Sequence, residues 1–486
     1  MTAIHFGASR MVGDIFLTEL PAGINWVNTD DPPQLDVLRG KALLVNFWTG
    51  SSIACEQQAQ ELRQLEGRFH DGLAILGVHT PKHPAEAEDE VVLKTANRWH
   101  LRHPVANDRE WIWWRQLGIE TWPCAVLFDH DFRLVAAFPG EGRKNEIEAR
   151  IQQLLDKAAE LDQRSYDPAP VGRKQEPRAP LRFPTRIVAS ANHLYVADTG
   201  YNRILELGFD GRINRQFGSG NPGQWDARGT EAGFRNPVGL ALWKDFLFVA
   251  DTGNHAIRRV RLLSGDVETL AGNGTCDRPA ATDIQQPRST PLATPVDVSV
   301  LNDRLYIAMA GAHQIWQLDL GRGSLGLLAG NGREDGVDGT GSFSSFAQPS
   351  ALAIVGEQLF VLDAASSALR AIRLPDTRVA TLVSGGLFSD GVNDGSGMAA
   401  RMCHPTAAHA DATRGVLWIA DTLNHKLRVY SIAKNELKTL NVNYRLQSPA
   451  GVCVAQQAVW IANTDAHEIL KLDLKTGRLS RLPITT

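Results

Sequence analysis

The sequence has 486 residues, of which 43% are hydrophobic and 21% are charged, and its formal net charge is −4. Such a length predicts two to four domains rather than one. The small acidic balance argues against a protein that binds nucleic acid through bulk charge. The N-terminus lacks the pattern of a secretion signal, and no stretch is apolar over the length that a bilayer requires. The five cysteines are odd in number and widely scattered, unlike a disulfide framework, so we expect a cytoplasmic protein.

Strand-like and helix-like patterns alternate over residues 1–161. Apolar runs predict strands over 41–48, 73–79, 124–128 and 134–138, and apolar residues at helical spacing predict helices over 56–69, 86–99 and 145–161. This alternation predicts an α/β domain with helices on the faces of its sheet. Residues 162–181 are polar and proline-rich, which predicts a linker.

Residues 182–486 contain six copies of one pattern, which consists of a proline, a short apolar strand, a turn and a second apolar strand with a polar end. The copies begin at Pro184, Pro237, Pro295, Pro349, Pro405 and Pro449. Their second strands end at Asp198, Asp251, Met309, Asp363, Asp421 and Asn463. Four residues later stand Asn202, His255, His313, Ser367, His425 and His467. Short β-branched strands in repeats of this length predict a six-bladed β-propeller.

The repeated phrase is carried most clearly by 251–257 (DTGNHAI) and 421–427 (DTLNHKL). It resembles the Asn-His-Leu motif of NHL repeats. The N-terminal half resembles thioredoxin-like domains through the phrases 47–55 (FWTGSSIAC), 77–84 (GVHTPKHP), 103–108 (HPVAND) and 121–124 (TWPC). The whole chain is similar to proteins that join a thioredoxin-like domain to an NHL propeller. Animal members of that family continue into a further β-domain, which we expect this chain to lack.

The resemblance implies a redox motif, but the first cysteine of the family's Cys-x-x-Cys is Ser52 here. A thioredoxin-type dithiol needs an exposed thiolate at a helix N-terminus and a second thiol that resolves the mixed disulfide. The hydroxyl of Ser52 does not ionise near neutral pH, and Cys55 holds the position that is normally buried. We therefore expect no dithiol catalysis, while chemistry of a single thiol at Cys55 stays open.

Pro123 matches the cis-proline that packs beside the active-site sulfurs in the thioredoxin fold. The residue after it is Cys124, on a strand that we expect to lie near the start of the Cys55 helix. A Cys55–Cys124 pair is one hypothesis, and two separate core cysteines are the alternative.

Other polar residues have plain structural explanations. The histidines at 79, 83, 100 and 103 are interrupted by prolines and lack metal-ligand spacing on one helical face, so we expect no metal and no cofactor. The propeller histidines lie in turns, and the acidic loops at 335–339 and 390–395 lack the full spacing of calcium loops. Basic clusters such as 258–261 (RRVR) do not form an obvious stripe, which argues against RNA.

The sequence therefore predicts a non-catalytic scaffold that binds a protein or peptide partner on a propeller face, with no membrane association. Two alternatives remain. One is a monothiol redox protein that handles peroxide or disulfides through Cys55, with Cys124 as a resolving thiol. The other is an RNA-binding propeller.

Overall fold

The structure, a computed structural model, describes residues 15–169, 174, 176–383 and 386–485. Contacts divide the chain between Pro177 and Arg178, inside the predicted linker. Residues 1–14, where we expect no secretion signal, and 170–173 and 175 of the linker lie outside the described residues. Within the described part, no helix has both the length and the apolar composition to cross a bilayer.

The first unit is an α/β domain built on a six-stranded sheet. Its elements are β1 (Asn25–Val27), α1 (Leu35–Leu38), β2 (Ala42–Trp48), α2 (Ile53–Arg68), β3 (Leu73–His79), α3 (Asp89–Arg98), β4 (Val105–Asn107), α4 (Ile112–Gln116), β5 (Cys124–Phe128), β6 (Leu134–Pro139) and α5 (Lys144–Glu160). The strand order is β1-β4-β3-β2-β5-β6. Strands β2, β3 and β4 are parallel, and β1, β5 and β6 are antiparallel to their neighbours. The predicted α/β class and thioredoxin-like fold are confirmed.

Strand β2 is buried on both faces, because helices cover both sides of the sheet. Leu43, Val45 and Phe47 pack into one hydrophobic cluster, and Ala42 and Leu44 pack into another with α2 and α5. Alternate side chains of a strand point to opposite faces, so a strand covered on both faces is apolar at nearly every position, here all but Asn46. This explains why its bounds could be predicted closely.

The N-terminal part of the predicted linker packs against the first unit. Ser165 donates its backbone N–H to the carbonyl of Gly40 at 2.9 Å. The Lys41 ammonium donates to the Ser165 hydroxyl at 3.1 Å and to the carbonyl of Asp167. Lys41 is 1% exposed, and burial lowers the pKa of its ammonium. Residues 165–167 therefore belong structurally to the domain that precedes them.

The second unit is a six-bladed propeller, as predicted. The four main strands of blades 1 to 3 are Pro184–Ala189, His193–Asp198, Arg203–Gly208 and Ile213–Phe217; Pro237–Trp243, Phe246–Asp251, Ala256–Arg261 and Asp266–Ala271; and Pro295–Leu301, Arg304–Met309, Gln314–Asp319 and Ser324–Ala329. Those of blades 4 to 6 are Pro349–Val355, Gln358–Asp363, Ala368–Arg373 and Arg378–Val383; Ala407–Asp411, Val416–Asp421, Lys426–Ser431 and Glu436–Leu440; and Pro449–Ala455, Ala458–Asn463, Glu468–Asp473 and Leu479–Arg481. In blades 2 to 5 the preceding loop adds a short fifth strand at the outer edge, namely Ala227–Arg228, Asp283–Ile284, Gly339–Thr340 and Gly395–Ser396.

The ring closes between blades 6 and 1. The first strand of each blade contacts the first strand of the next, and the last one returns to the first. Phe183 donates its N–H to His467 Nδ1 at 3.0 Å, and the Thr464 hydroxyl donates to the carbonyl of Pro184 at 2.8 Å. On the outer side, Ile213 donates its N–H to the carbonyl of Thr485 at 2.8 Å. Direct contacts between the two terminal blades thus complete the ring.

Candidate functional site

The redox-motif position is occupied by a helix cap. Ser52 is the N-cap of α2, with extended backbone angles (φ −106°, ψ 120°), and its hydroxyl accepts from the Cys55 N–H at 3.4 Å. A serine at this position satisfies one of the N–H groups that the first helical turn leaves without partners. The side chain that replaces the nucleophile therefore has a structural role in this fold.

Cys55 is fully buried. It lies in a hydrophobic cluster with Trp48, Ala59 and Trp99, and its exposed fraction is 0%. Burial raises the pKa of the Cys55 thiol to about 12, although the hydrogen bond with Ser52 opposes the shift. Because the thiolate is the nucleophile, this shift lowers the fraction of Cys55 that could attack at neutral pH.

A buried carboxylate lies beneath this position and was not singled out in the sequence. Glu86 is 2% exposed and accepts from the Thr49 hydroxyl at 3.1 Å and the Ser51 hydroxyl at 3.2 Å. It also accepts from the backbone N–H groups of Lys82 and His83, at 3.2 and 3.0 Å. The predicted helix over 86–99 begins instead with a 3₁₀ turn, Pro84–Ala87, which places Glu86 in this network. Its negative charge also raises the pKa of Cys55.

Pro123 and Cys124 lie at the start of β5. The Trp122–Pro123 peptide bond is cis, and Cys124 pairs in register with Phe47 of β2. Cys124 is 5% exposed, and burial raises the pKa of its thiol to about 12. Cys55 and Cys124 are both free thiols and belong to different hydrophobic clusters. Trp122 packs against each of these two clusters. Their pairing under oxidising conditions stays a prediction.

Two of the four histidines singled out in the sequence, His79 and His103, have local partners. His79 Nδ1 lies 3.3 Å from Asn107 Oδ1, and the His79 ring packs edge-on against Trp48. Burial lowers the pKa of His79, which favours the neutral form of its imidazole. His103 Nδ1 lies 2.7 Å from a Glu66 carboxylate oxygen. These contacts support the structural interpretation of the histidines.

The strand-end aspartates of the propeller hold the blades together internally. Asp251 is 0% exposed and accepts from the Arg235 N–H at 2.8 Å and from Arg258 Nη1 at 2.8 Å. Burial raises the pKa of Asp251 to about 6, against the attraction of Arg258. The same contact, from the N–H of the residue two before the proline that opens the same blade, recurs at Asp198, Asp363, Asp421 and Asn463.

The repeated histidines connect neighbouring blades. The Nδ1 atoms of His313, His425 and His467 accept from the N–H of the residue before the next blade's proline, at 3.1, 2.9 and 3.0 Å. Asn202 and Ser367 make the same contact in their blades at 2.9 and 3.1 Å. All six residues at this position, His255 included, have left-handed backbone angles. The histidines therefore lie in turns, as predicted. In each blade the residue at this position, whether histidine, asparagine or serine, adopts the left-handed conformation of the turn.

The aspartates of the acidic loops contact arginines. Asp338 accepts from Arg370 Nη2 at 2.8 Å, and Asp394 accepts from Arg428 Nη2 at 2.9 Å. In blade 2, Asp226 contacts Arg258 Nη2 at 2.9 Å in the same way. Each arginine also pairs with the strand-end aspartate of its blade. Arg258, a member of the basic cluster in the sequence, is therefore buried between two carboxylates.

One ion pair crosses the propeller axis. Arg186 of blade 1 meets Asp297 of blade 3 at 3.0 Å (Nε–Oδ1) and 2.9 Å (Nη2–Oδ2), and their side chains are 4% and 3% exposed. Arg186 Nη2 also donates to carbonyls of blades 4 and 5, at Ser350 and Thr406. The residues aligned with this pair in the other four blades are small: Gly239, Ala351, Ala407 and Gly451. The pair fills the centre of the ring.

Comparisons with known proteins agree with this architecture. Residues 40–134 match the thioredoxin-like family, and residues 234–259 match the NHL repeat. The fold and these two family matches together define a protein with a thioredoxin-like domain followed by an NHL propeller. The chain is 32% identical to NHL repeat-containing protein 2 of Homo sapiens, over 97% of this chain and 72% of that protein, and the same figures hold for the Bos taurus protein. It is 31% identical to Protein SUPPRESSOR OF QUENCHING 1, chloroplastic, of Arabidopsis thaliana, over 96% of this chain and 47% of that one. The chain belongs to the family of NHL repeat-containing protein 2.

Proposed function

We propose that this protein is a non-catalytic, protein-binding scaffold of the cytoplasm. The observation that carries the proposal is the state of Cys55, whose thiol is 0% exposed and has a pKa raised to about 12. The exposed position of the motif is Ser52, and its hydroxyl caps α2. A domain with this arrangement has the shape of a redox module without its nucleophile.

The propeller supports a binding role. Its repeated aspartates and histidines are used inside and between blades, so they leave the loops as the variable part of the ring. The loops before blades 4 and 5 expose apolar side chains: Val337, Phe343, Val392 and Met398 are between 44% and 83% exposed. Exposed apolar side chains of this size on loops are candidates for contact with a protein partner.

An insulin-reduction assay tests this function. Wild-type protein and Cys55→Ser are each supplied with a dithiol reductant, and we expect both to show only the background rate. Ser52→Cys is the positive control, because it restores a Cys-x-x-Cys motif at a helix N-terminus and should raise the rate. Turnover by the wild-type protein that Cys55→Ser abolishes would contradict the scaffold and establish the monothiol alternative.

RNA binding is disfavoured by the contacts of the 258–261 cluster. Arg258 is buried between two aspartates, and Arg259 pairs with Glu268 at 2.6 Å. Filter binding of a mixed-sequence RNA at low and moderate salt would reveal this alternative as an affinity that falls steeply with salt. We expect no such binding.

A further inference from the structure

Blade 1 differs from blades 2, 4 and 5 in how it satisfies its arginine. In those three blades the third-strand arginine contacts two carboxylates, one at a strand end and one from the preceding loop. In blade 1, Arg203 Nε contacts the strand-end Asp198 at 2.7 Å. Its other groups donate to Gln216 Oε1 at 3.0 Å and to the carbonyl of Pro180 at 2.8 Å. Arg203 stands five residues after its aspartate, whereas the arginines of the other three blades stand seven residues after theirs, and the aligned residue of blade 1 is Leu205. Arg203 thus contacts one carboxylate, while those arginines contact two.

A cleft of about 530 Å³ lies beside Arg203. It is lined by Arg178, Arg182, Tyr201 and Ser219, among others, and its lining contains no acidic residue. Within the part of the chain that the structure describes, neither Arg178 nor Arg182 forms an ion pair, and Arg182 Nε is buried without a hydrogen-bond partner. An unpartnered guanidinium group that is partly withdrawn from water favours an anionic ligand.

The cleft is held in shape by contacts around it. Arg182 lies flat on Gly200, where a Cβ would come within 2.7 Å of the arginine side chain. The Arg203 guanidinium stacks on the Tyr201 ring at 5.0 Å, and the Tyr201 hydroxyl donates to the carbonyl of Ala179 at 3.0 Å. Because these side chains are fixed by packing, little ordering remains to oppose binding.

We propose that this cleft binds an acidic peptide segment of a protein partner, whose carboxylates pair with Arg178, Arg182 and Arg203 much as the loop carboxylates Asp226, Asp338 and Asp394 pair with arginines in the other blades. The inference rests on the proposed scaffold function and names its partner chemistry. A second groove of about 290 Å³, lined by Pro180, Leu482 and Ile484 among others, adjoins the cleft at Pro180. An apolar residue beside the acidic ones fits this neighbouring surface.

Fluorescence anisotropy with a labelled peptide of sequence Glu-Glu-Leu-Glu-Glu, blocked at both ends, tests the proposal on the full chain. We expect the wild-type protein to bind it more tightly than the matched Gln-Gln-Leu-Gln-Gln peptide. Arg182→Gln and Arg178→Ala should each weaken binding about tenfold, which corresponds to about 1.4 kcal/mol. Arg182→Gln keeps most of the stem that packs on Gly200, and circular dichroism checks that it folds.

Arg235→Gln is the matched control, because Arg235 occupies the same position in blade 2 and packs on Gly253 in the same way. Its Nε is likewise buried without a hydrogen-bond partner among the described residues, but Arg235 does not line the cleft, so the control separates the cleft from the buried Nε. Its affinity for the peptide should equal that of the wild-type protein. Equal losses in Arg235→Gln and Arg182→Gln, or no binding of the glutamate peptide, would overturn the proposed site. Displacement of the peptide by inorganic phosphate, but not by sodium chloride of equal ionic strength, would assign the cleft to a phosphate ligand instead. The insulin assay is an independent test. If the peptide does not bind and the protein does not reduce insulin, the proposed site is refuted and the scaffold function is not. If the protein reduces insulin through Cys55, the scaffold function is refuted.

Discussion

The Arg186–Asp297 pair at the propeller axis makes the sharpest prediction about stability. Asp297→Ala removes the carboxylate that accepts from Arg186 Nε, Arg186 Nη2 and the Leu352 N–H, at 3.0, 2.9 and 2.8 Å. The variant leaves a guanidinium group in a site where its side chain is 4% exposed. Two carbonyls remain near Nη2, but both lie at 3.3 Å or more and carry no full charge.

The expected loss is large because a buried cation without its anion is costly. Breaking such a pair by removing one partner destabilises a protein by about 3–5 kcal/mol. The double variant Arg186→Met with Asp297→Leu removes both charges, so it should recover most of that loss or exceed wild-type stability. Arg186 Nη1 is buried without a partner among the described residues, which adds to the cost of the natural pair.

Urea denaturation of the full chain measures this effect, with hydrogen exchange of the first strands assigning the propeller transition. Lys244–Asp303 is the control pair, because its atoms lie 3.8 Å apart and its side chains are 63% and 70% exposed. Asp303→Asn should change the free energy of unfolding by less than about 1 kcal/mol. An equally small change in Asp297→Ala would refute the claim that the axis pair locks blade 1 to the opposite side of the ring.

Three further predictions concern the thiols, acid stability and the helix cap. In the folded protein, iodoacetamide should modify the exposed Cys276 and leave Cys55 unmodified, as read by mass spectrometry; labelling of Cys55 before unfolding would contradict its burial. Burial and the charge of Arg235 lower the pKa of His255 to about 4. In the unfolded chain this histidine is protonated near its ordinary pKa of 6.5. The free energy of unfolding therefore has its full value above pH 6.5 and decreases as the pH falls towards 4, by at most about 3 kcal/mol. His255→Asn, which installs the residue found at position 202, should flatten the dependence of the urea midpoint on pH in this window, and an unchanged profile would exclude His255 as its source. Ser52→Ala should lower stability by about 1 kcal/mol through loss of the α2 cap, whereas Ser52→Asp should not; equal losses in both variants would argue against capping.

Long, regular elements were predictable because their side-chain periodicity is set by burial. The predicted strand over 73–79 coincides with Leu73–His79, and the predicted closing helix differs from Lys144–Glu160 by one residue at each end. Asn25–Val27, Val105–Asn107 and Ile112–Gln116 were not predicted. Elements of three to five residues are too short to show a period, and their pairing depends on distant parts of the chain.

The propeller contacts were only partly visible in the sequence. Repetition revealed the prolines, the strand-end aspartates and the turn histidines, but not the residues that they contact. The partners of the histidines lie in neighbouring blades. Arg186 and Asp297 are 111 residues apart. Alignment of the repeats on their prolines offers one signal: both charged residues stand at a position that is otherwise glycine or alanine. Glu86 offered no such signal, because its partners come from a separate loop and a 3₁₀ turn.

The proposed peptide site should also affect the closure of the ring. The segment that carries Arg182 continues directly into Phe183 and Pro184, which receive the contacts from blade 6. A peptide that binds Arg178 and Arg182 therefore fixes the segment on which closure depends. If opening of blade 1 disrupts the cleft, linkage predicts stabilisation against that opening by about 2.7 kcal/mol at a free peptide concentration 100 times Kd. Hydrogen exchange should show this as slower exchange in the first strands of blades 1 and 6, with blade 3 unchanged. Equally slowed exchange in all blades would indicate general stabilisation of the propeller. Unchanged exchange at a saturating peptide concentration would show that peptide binding in the cleft does not affect closure of the ring.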